Sequence, residues 1–442
     1  MGNTKEEILE IIERERIGVI WLWFVDICGI LKGFSITPDE VKTALTDGMG
    51  FDGSSISGFN AIEESDLVAM PDISTFSILP WDDPDYRACR MFCDIVEPKD
   101  KKPYDRDSRN ILKKNLAKAA DMGYTFYVGP ELEFFYFKNS DGTDFLDPGG
   151  YFSAPPLDLA TNLRKRTIDA LNAMGIPVEY HHHEVAPSQH EIDLRYDECL
   201  RMADNCITYR YLVKEVARMN GYYASFMPKP VFGVNGSGMH THMSLFKNGK
   251  NAFFSPDSSN NLSDVAKHFI AGVLYHAQEI TAFLAQWVNS YKRLVPGYEA
   301  PVYIAWSQRN RSALIRVPYY QPGKENATRI ELRCPDPACN PYIAFSVMLG
   351  AGLKGMAEKY ELPDEQQKNL YHMSPLELTR IGIKSLPENL HEALHFVRKS
   401  QFIREVLGDT FVENFLEVKY KEYDEYRVQV TKWELDTYFK VL

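Results

Sequence analysis

Hydrophobic and polar residues near the N-terminus alternate in patterns that predict one helix followed by two strands. Thr4 and Glu7 have the spacing of a capping box, and the isoleucines after them recur on one helical face. Residues 17–25 then form an apolar run, which predicts a buried strand. Gly29 interrupts this run, so residues 30–36 are predicted to be the hairpin partner of that strand.

A charged stretch at residues 98–103, bounded by prolines, predicts the boundary between two domains. A chain of 442 residues is too long for one ordinary core. We therefore expect a smaller domain at residues 1–103, mostly strands with one helix, and a larger domain at residues 104–442. Residues 411–442 are predicted to be helical, and they either pack against another subunit or form a solvated terminal helix.

Two glutamates begin a predicted strand at residues 131–137, directly after Pro130. Residues two apart on a strand point to the same face, so Glu131 and Glu133 lie side by side among aromatic residues. Their repulsion is costly in apolar surroundings, and a cation between them would remove that cost. The alternative is that both glutamates face water on an exposed sheet.

Histidines are concentrated in two further segments. Residues 239–245 predict a strand with His240, His242 and Ser244 on one face, which suggests a metal or phosphate contact or, alternatively, histidines bonded to the backbone. Residues 181–191 contain four of the eleven histidines, and there Glu184 and Glu191 bracket a proline. These two carboxylates could converge on one point, or the run could be a surface loop. The glycine-rich residues 235–238 match neither GxxxxGK[ST] nor GxGxxG.

Arginines dominate another alternating segment, where Arg329, Glu331 and Arg333 share one face. Further arginines precede it, namely Arg293, Arg309, Arg311 and Arg316. Because the formal net charge is −12, this concentration suggests a focused anion site. Arginine binds phosphate and carboxylate groups in a bidentate manner. A salt-bridge network is the alternative.

Composition narrows the functional class. The acidic balance argues against nucleic acid as a partner, because a phosphate backbone needs a basic face. The polar N-terminus shows neither a signal peptide nor a membrane span, and the seven scattered cysteines include no CxxC pair. We therefore expect a cytoplasmic protein with reduced thiols and no membrane partner.

The three kinds of side chain together indicate one chemistry. Hard carboxylate ligands favour Mg²⁺ or Mn²⁺ over zinc. Arginines combined with such ions suit phosphoryl transfer, in which catalysis depends on positioning and charge neutralisation. The residues alone therefore indicate a metal-dependent enzyme that handles phosphate and an anionic substrate, and they leave the substrate undetermined.

Several segments resemble glutamine synthetase of the short type I class, in the order of that family and over nearly the whole chain. They are FDGSS at 51–55, GPELE at 129–133, residues 184–191, NGSGMH at 235–240, NSYKRLVPGYEAP at 289–301 and RIELR at 329–333. The resemblance implies an α+β fold, with a small β-grasp-like N-terminal domain and a large catalytic domain built from a curved antiparallel sheet and helices. It also implies ATP-dependent ligation of ammonia to L-glutamate through γ-glutamyl phosphate, in nitrogen assimilation.

The resemblance extends to the metal ligands. It implies two or more Mg²⁺ (or Mn²⁺) ions per active site, with ATP as a substrate. The implied ligands are Glu133, Glu184 and Glu191 for the first ion, and Glu131, His240 and Glu331 for the second.

Other side chains acquire roles from the same resemblance. The implied nucleotide-binding residues are His242, Ser244 and Arg329, and the implied glutamate-binding residues are Asn235, Gly236, Arg293 and Arg333. Arg311 and Arg316 match positions that hold the transferred phosphoryl group. Asp52 matches the carboxylate that assists loss of a proton from ammonium, with Tyr151 nearby. Glu299 matches a flap residue that closes the site against water.

Assembly is also implied, because in this family the residue that Asp52 matches belongs to the neighbouring subunit. We therefore expect a homo-dodecamer of two stacked hexameric rings, with residues 411–442 gripping the opposite ring. The family also allows regulation by a PII-type protein or 2-oxoglutarate.

Three positions depart from the family pattern. Ala61 stands where several short type I enzymes have an arginine used in glutamine feedback, so we expect weak feedback inhibition. Tyr371 lies near the position of a tyrosine that longer relatives adenylylate, but its neighbours differ, and we do not expect that control. Ser188 stands where many relatives have glycine, and we expect this change to be tolerated.

Three other functions stay open alongside this resemblance. A ligase for a polyamine or another amine is disfavoured by Asp52 and Tyr151, which are ammonium-site types. A non-catalytic member is disfavoured because it should have lost metal ligands or arginines, and this chain keeps them. A phosphotransferase without amide formation would be excluded by detection of glutamine as the product.

Overall fold

The computed structural model describes residues 4–59, 66–81, 87–258, 260–296 and 300–442, so Ala61 and Glu299 lie outside the described residues. The N-terminal part consists of α1 (Lys5–Arg14), β1 (Val19–Val25), β2 (Leu31–Ile36), α2 (Val41–Asp47), β3 (Met49–Asp52), β4 (Asp66–Pro71), β5 (Ser77–Ile78) and β6 (Ala88–Val96).

These strands form one sheet in the order β2-β1-β6-β4-β3, with β5 paired to β6. β1 and β2 are antiparallel, as the sequence predicts, and β1 is parallel to β6. The predicted capping box of Thr4 and Glu7 starts α1. The prediction of a single helix here is wrong, because α2 also forms. It has only seven residues and follows directly on a 3-10 turn at Pro38–Glu40, where Thr37 and Pro38 give a start signal that sequence reasoning missed.

The rest of the chain alternates helices and strands around a second, larger sheet. The first half of this region comprises α3 (Ser108–Asp121), β7 (Thr125–Phe137), α4 (Thr161–Ala173), β8 (Val178–His183), β9 (Gln189–Leu194), β10 (Asp197–Glu198), α5 (Cys199–Met219), β11 (Tyr223–Ser225), β12 (Met239–Lys247) and β13 (Lys250–Asn251).

Helices predominate in the second half of this larger region of the chain. The elements are α6 (Asp264–Tyr275), α7 (Ala277–Leu284), α8 (Ser290–Arg293), β14 (Tyr303–Ser307), β15 (Ala313–Arg316), β16 (Ile330–Leu332), α9 (Pro341–Glu358), α10 (Pro375–Arg380), α11 (Leu390–Lys399), α12 (Gln401–Leu407), α13 (Asp409–Arg427) and α14 (Lys432–Tyr438).

The second sheet runs in the order β14-β15-β16-β12-β7-β9-β8, and β7 also pairs with β10 and β11. The pairings are antiparallel except for β14 and β15, which are parallel. The long strand β7 therefore lies at the centre and pairs with β12 on one side and β9 on the other. Helices cover the sheet, and α6 packs closely on α9. The two helices are so close at Gly272 of α6 that an added Cβ would lie only 2.1 Å from the carbonyl oxygen of Ala351 in α9.

The C-terminal residues are helical, as predicted, but α13 ends at Arg427 and a separate helix, α14, begins at Lys432. This segment exposes large apolar side chains, including Trp433 and Phe439. All seven cysteines are buried with free thiols. Among the described residues, none of the helices combines the length and the apolar character that a membrane crossing requires.

Candidate active site

Strand pairing around β7 brings the predicted acidic and imidazole residues together. In the register of β7 and β12, His240 lies opposite Glu131. In that of β7 and β9, Glu191 lies opposite Glu133. β16 adds Glu331 beside β12, in register with His242. Segments that are up to two hundred residues apart in the chain therefore meet at one surface of the sheet.

These side chains line a cavity of about 380 Å³. All six predicted metal ligands lie in its wall, as do Tyr151, Arg311, Arg316 and the four predicted glutamate-binding residues. The polar and aromatic lining residues are Glu131, Glu133, Tyr151, Tyr180, His182, Glu184, Gln189, Glu191, Asn235, His240, Arg293, Arg311, Arg316, Glu331 and Arg333, with Gly236 beside them.

A second cavity of about 280 Å³ adjoins the first and shares the wall formed by Glu131. It contains the three predicted nucleotide-binding residues, His242, Ser244 and Arg329. His242 Nε2 lies 2.8 Å from Glu131 Oε1, and Arg329 Nε lies 3.2 Å from His242 Nδ1. A chain of polar contacts therefore connects the two cavities.

Three groups of side chains in this region could each hold a cation, because within each group one ligand atom per residue lies within 4.8 Å of the others. The groups are Glu131 with His240 and Glu331, His182 with Glu184 and Glu191, and Glu131 with Glu191 and Asp193. Carboxylate oxygens dominate these sets, which fits a hard divalent cation better than zinc.

Two acidic residues of β7 and β9 have raised pKa values. Burial and the nearby Glu184 raise the pKa of Glu133 to about 8. Burial and Asp193 raise the pKa of Glu191 well above its ordinary range. Buried carboxylates whose charges repel one another favour a bound cation, which would reverse both shifts.

Histidine contacts act in the opposite sense on Glu131. Burial raises the pKa of Glu131, but hydrogen bonds from His240 and His242 outweigh burial and hold that pKa well below its ordinary range. Burial, together with Arg333, lowers the pKa of His240 to about 4. A neutral imidazole of this kind keeps a lone pair available for a metal.

Four of the predicted arginines also line the cavity, namely Arg293, Arg311, Arg316 and Arg333. Arg316 Nε and Arg333 Nη1 each bond to a different oxygen of Glu331, so the salt-bridge alternative holds for these two residues. Arg293 is buried and donates through Nη1 to the carbonyl oxygens of Cys334 and Pro335, at 2.8 and 3.1 Å. The side chain of Arg311 is exposed. The carboxylates and guanidinium groups therefore line one cavity, and they meet at Glu331.

One predicted catalytic residue, Asp52, is described by the structure and lies apart from this cavity. Asp52 ends β3 in the N-terminal sheet and is exposed, with its Oδ1 accepting the Ser54 N–H at 2.8 Å. It is not among the residues that line the cavity of the same chain. Glu299 lies outside the described residues. Tyr151 is half exposed at the cavity and stacks on Phe152.

His182, Gln189 and Asp193 are neighbours of the predicted ligands that sequence reasoning missed. Gln189 Nε2 donates to Glu133 Oε2 at 2.9 Å, and the Gly238 N–H donates to the same oxygen at 2.9 Å. The alternation along residues 189–193 signals that Gln189, Glu191 and Asp193 share a face. His182 gave no such signal within a run of three histidines.

Comparison with known proteins identifies the family of this arrangement. Residues 16–98 match the model of the glutamine synthetase β-grasp domain, and residues 105–438 match that of the glutamine synthetase catalytic domain. The chain belongs to the glutamine synthetase family. It is 50% identical to the glutamine synthetase of Mycolicibacterium smegmatis and 48% identical to that of Methanosarcina mazei. The alignments cover all of this chain and 100% and 98% of those proteins.

Solved structures agree with this assignment. A complex of GmaS with ADP superposes with a TM-score of 0.90 at 28% identity, over 100% of both chains. The Plasmodium falciparum glutamine synthetase superposes with a TM-score of 0.88 at 26% identity, over 99% of both chains.

Two predictions are confirmed by these matches. The glutamine synthetase fold is α+β, with a β-grasp N-terminal domain and a curled sheet with helices in the catalytic domain. As a glutamine synthetase, the protein is a ligase that forms glutamine from glutamate and ammonia in an ATP-dependent reaction, with a divalent metal. The domain boundary at residue 103 stays a prediction.

Proposed function

We propose that the larger cavity holds two Mg²⁺ (or Mn²⁺) ions together with glutamate and the transferred phosphoryl group. The observation that carries this proposal is the convergence of six potential ligands on one cavity wall, two of them with raised pKa values. In this assignment Glu133, Glu184 and Glu191 hold the first ion, and Glu131, His240 and Glu331 hold the second. The ions supply positive charge that neutralises the phosphates.

The smaller cavity is proposed to hold the nucleotide, because it adjoins the larger cavity and carries the three predicted nucleotide contacts. His242, Ser244 and Arg329 would bind ATP there. Tyr127 and Tyr196 line the same cavity and offer ring surfaces for a base. The phosphates would then pass Glu131, where the two cavities meet.

Glutamate is proposed to bind beside the arginines of the larger cavity. Asn235, Gly236, Arg293 and Arg333 would hold its main carboxylate and amino group, and this assignment is supported by their shared position in the wall. The side-chain carboxylate then attacks the terminal phosphorus of ATP, which forms a new O–P bond and releases ADP. Arg311 and Arg316 would neutralise the charge on the transferred group.

Ammonia completes the reaction by attack on the carbonyl carbon of γ-glutamyl phosphate, which forms a C–N bond and releases phosphate. Asp52 is proposed to take a proton from ammonium before this attack, with Tyr151 beside it. Glu299 is proposed to close the site so that water does not hydrolyse the acyl phosphate.

Assembly is part of this proposal, because Asp52 is exposed and does not line the cavity of its own chain. A neighbouring subunit would supply it in a dodecamer of two stacked hexameric rings. The exposed apolar side chains of the C-terminal segment, such as Trp433 and Phe439, would bind the opposite ring. We further propose a cytoplasmic location and a PII-type regulator as a compatible partner.

Phosphate release and glutamine formation with ATP, Mg²⁺, glutamate and ammonium test the chemistry. Glu331→Ala removes a proposed metal ligand that also anchors Arg316 and Arg333, and we expect kcat to fall by about three decades. Glu358→Ala, at an exposed site outside the cavity, is the matched control. Equal activity of the two variants would refute the site, and faster product formation with another amine than with ammonium would refute the substrate.

Subunit mixing tests the role of Asp52. Asp52→Ala and Glu331→Ala subunits are each expected to be inactive alone. Co-expressed, they should form some sites with both residues intact, so activity should return to about one quarter of the wild-type value for random mixing. No recovery from mixed oligomers of confirmed composition would place Asp52 and Glu331 in the same subunit's site.

A further inference from the structure

The hairpin of β8 and β9 has a second polar face, directed away from the larger cavity. His182 pairs with Glu191 in the strand register, and these two side chains line the cavity. The next pair is His183 with His190, and both histidines are completely buried on the other face. Asp147 is buried there with them and lies in the loop after β7.

Asp147 uses its carboxylate to hold several parts of the chain together. Its Oδ1 accepts hydrogen bonds from His183 Nε2 at 2.8 Å, from the Ser188 N–H at 3.1 Å and from the Gly149 N–H at 3.2 Å. Its Oδ2 accepts the Leu159 N–H at 3.1 Å. A buried carboxylate with four donors is rigidly oriented.

Ser188 strengthens this connection through its hydroxyl group. The hydroxyl accepts the Asp147 N–H at 2.9 Å and donates to the Asp147 carbonyl oxygen at 3.2 Å. Ser188 has a φ of 60°, a left-handed conformation that glycine adopts more readily than serine. The two hydroxyl bonds offset the conformational cost and fix the turn between β8 and β9.

Each of these contacts lies close in the chain to a proposed ligand of the first ion. His183 directly precedes Glu184, and Ser188 is three residues before Glu191. No space is left for the His183 ring to shift toward the loop, because a Cβ at Gly149 would lie 2.4 Å from His183 Nε2. A movement of this hairpin would therefore carry Glu184 and Glu191 with it.

A metal ion in place of these hydrogen bonds is the competing interpretation, because Asp147, His183 and His190 have ligand atoms within 4.8 Å of one another. Two observations oppose it. The oxygens of Asp147 already accept four hydrogen bonds. In addition, the buried guanidinium of Arg164 lies 2.7 Å from His190 Nδ1, where it brings positive charge next to any such ion.

We propose that Asp147, together with Ser188, is a positioning residue that fixes the β8–β9 hairpin so that Glu184 and Glu191 are presented to the first metal ion. This inference rests on the proposed metal assignment. It assigns no contact between Asp147 and the ion. Residues of this kind behind metal ligands affect affinity by about 10- to 100-fold when they are changed.

Mn²⁺ binding to the full-length protein, without substrates, tests the proposal. Free Mn²⁺ is measured by its electron paramagnetic resonance signal, and thermal unfolding is recorded in parallel. We expect Asp147→Asn to weaken one Mn²⁺ site about tenfold and to leave the other unchanged. Ser188→Ala should weaken the same site about fivefold, as the loss of its hydroxyl bonds predicts.

Matched variants separate positioning from general destabilisation. Asp107→Asn removes another buried carboxylate, which accepts the N–H groups of Ile95 and Arg109 far along the chain from the hairpin. It should lower Tm and leave Mn²⁺ binding intact. Ser188→Gly removes the hydroxyl but suits the left-handed backbone conformation. Its Mn²⁺ affinity should therefore fall as much as in Ser188→Ala, while its Tm should fall less.

Unchanged affinity at both Mn²⁺ sites in a folded Asp147→Asn or Ser188→Ala protein would overturn the proposal. If Asp147→Asn does not fold, Ser188→Ala and Ser188→Gly decide alone. Glu191→Ala distinguishes this result from failure of the proposed function. If that variant keeps both Mn²⁺ sites, the metal assignment itself is wrong and the inference falls with it.

Discussion

Replacement of Glu133 by glutamine tests the electrostatic reasoning about the larger cavity. Gln189 Nε2 and the Gly238 N–H both donate hydrogen bonds to Glu133 Oε2. The amide oxygen of a glutamine can accept both of these hydrogen bonds. Burial and Glu184 raise the pKa of Glu133 to about 8 from the ordinary 4.5. The folded protein therefore keeps this proton to higher pH than the unfolded chain, so its stability falls as the pH rises from 4.5 to 8. At pH 7 the loss amounts to about 3 kcal/mol.

The expected result is a variant whose advantage depends on pH. In EDTA, Glu133→Gln should have a higher Tm than the wild type at pH 8, a smaller advantage at pH 6.5, and no advantage near pH 4.5. With Mn²⁺ present the order should reverse at pH 8, because the amide is a poor substitute for a carboxylate ligand. A Tm difference in EDTA that is the same at all three pH values would refute the raised pKa and the preference for a bound cation inferred from it.

Three further predictions concern metal, the flap and feedback. Removal of metal with EDTA should lower Tm, and Mn²⁺ at a hundred times its Kd should restore about 2.7 kcal/mol per site; an unchanged Tm would contradict a cation site. Tyr371 donates to the carbonyl oxygen of Ala300 at 2.9 Å, next to the predicted flap. Tyr371→Phe should therefore raise phosphate release relative to glutamine formation severalfold, and unchanged coupling would argue against that role. Glutamine should inhibit the wild type weakly and Ala61→Arg more strongly, and equal inhibition curves would remove the feedback hypothesis.

Periodicity along single strands predicted a large part of the site. Glu131 with Glu133, and Glu331 with Arg333, share faces because side chains two apart on a strand point the same way. All four line the larger cavity. The same rule placed His240 and His242 together, but they line different cavities, because Glu131 lies between them as a shared wall. Strand direction alone does not show where one cavity ends and the next begins.

The periodicity of single strands does not predict which strands pair with each other. β7 lies between β12 and β9 in the sheet, and β12 follows β7 by about a hundred residues in the chain. No local pattern in the sequence indicates that these strands are neighbours. Family resemblance supplied the convergence that the separate segments could not. The short helix α2 was missed although Thr37 and Pro38 give a start signal before it, because its seven residues carry too short an apolar period.

The histidine-rich segment at residues 181–191 combines side chains that line the cavity with side chains that hold the hairpin in place. Read as a cluster, residues 181–191 suggest that every histidine is a potential metal ligand. The strand register separates them, because His182 faces the cavity with Glu191 while His183 and His190 face Asp147. Asp147 lies in a loop about forty residues earlier, and nothing near it in the sequence signals this contact. A hard cation needs carboxylates held at a fixed spacing, so the buried face of the hairpin contributes to metal binding without touching the ion.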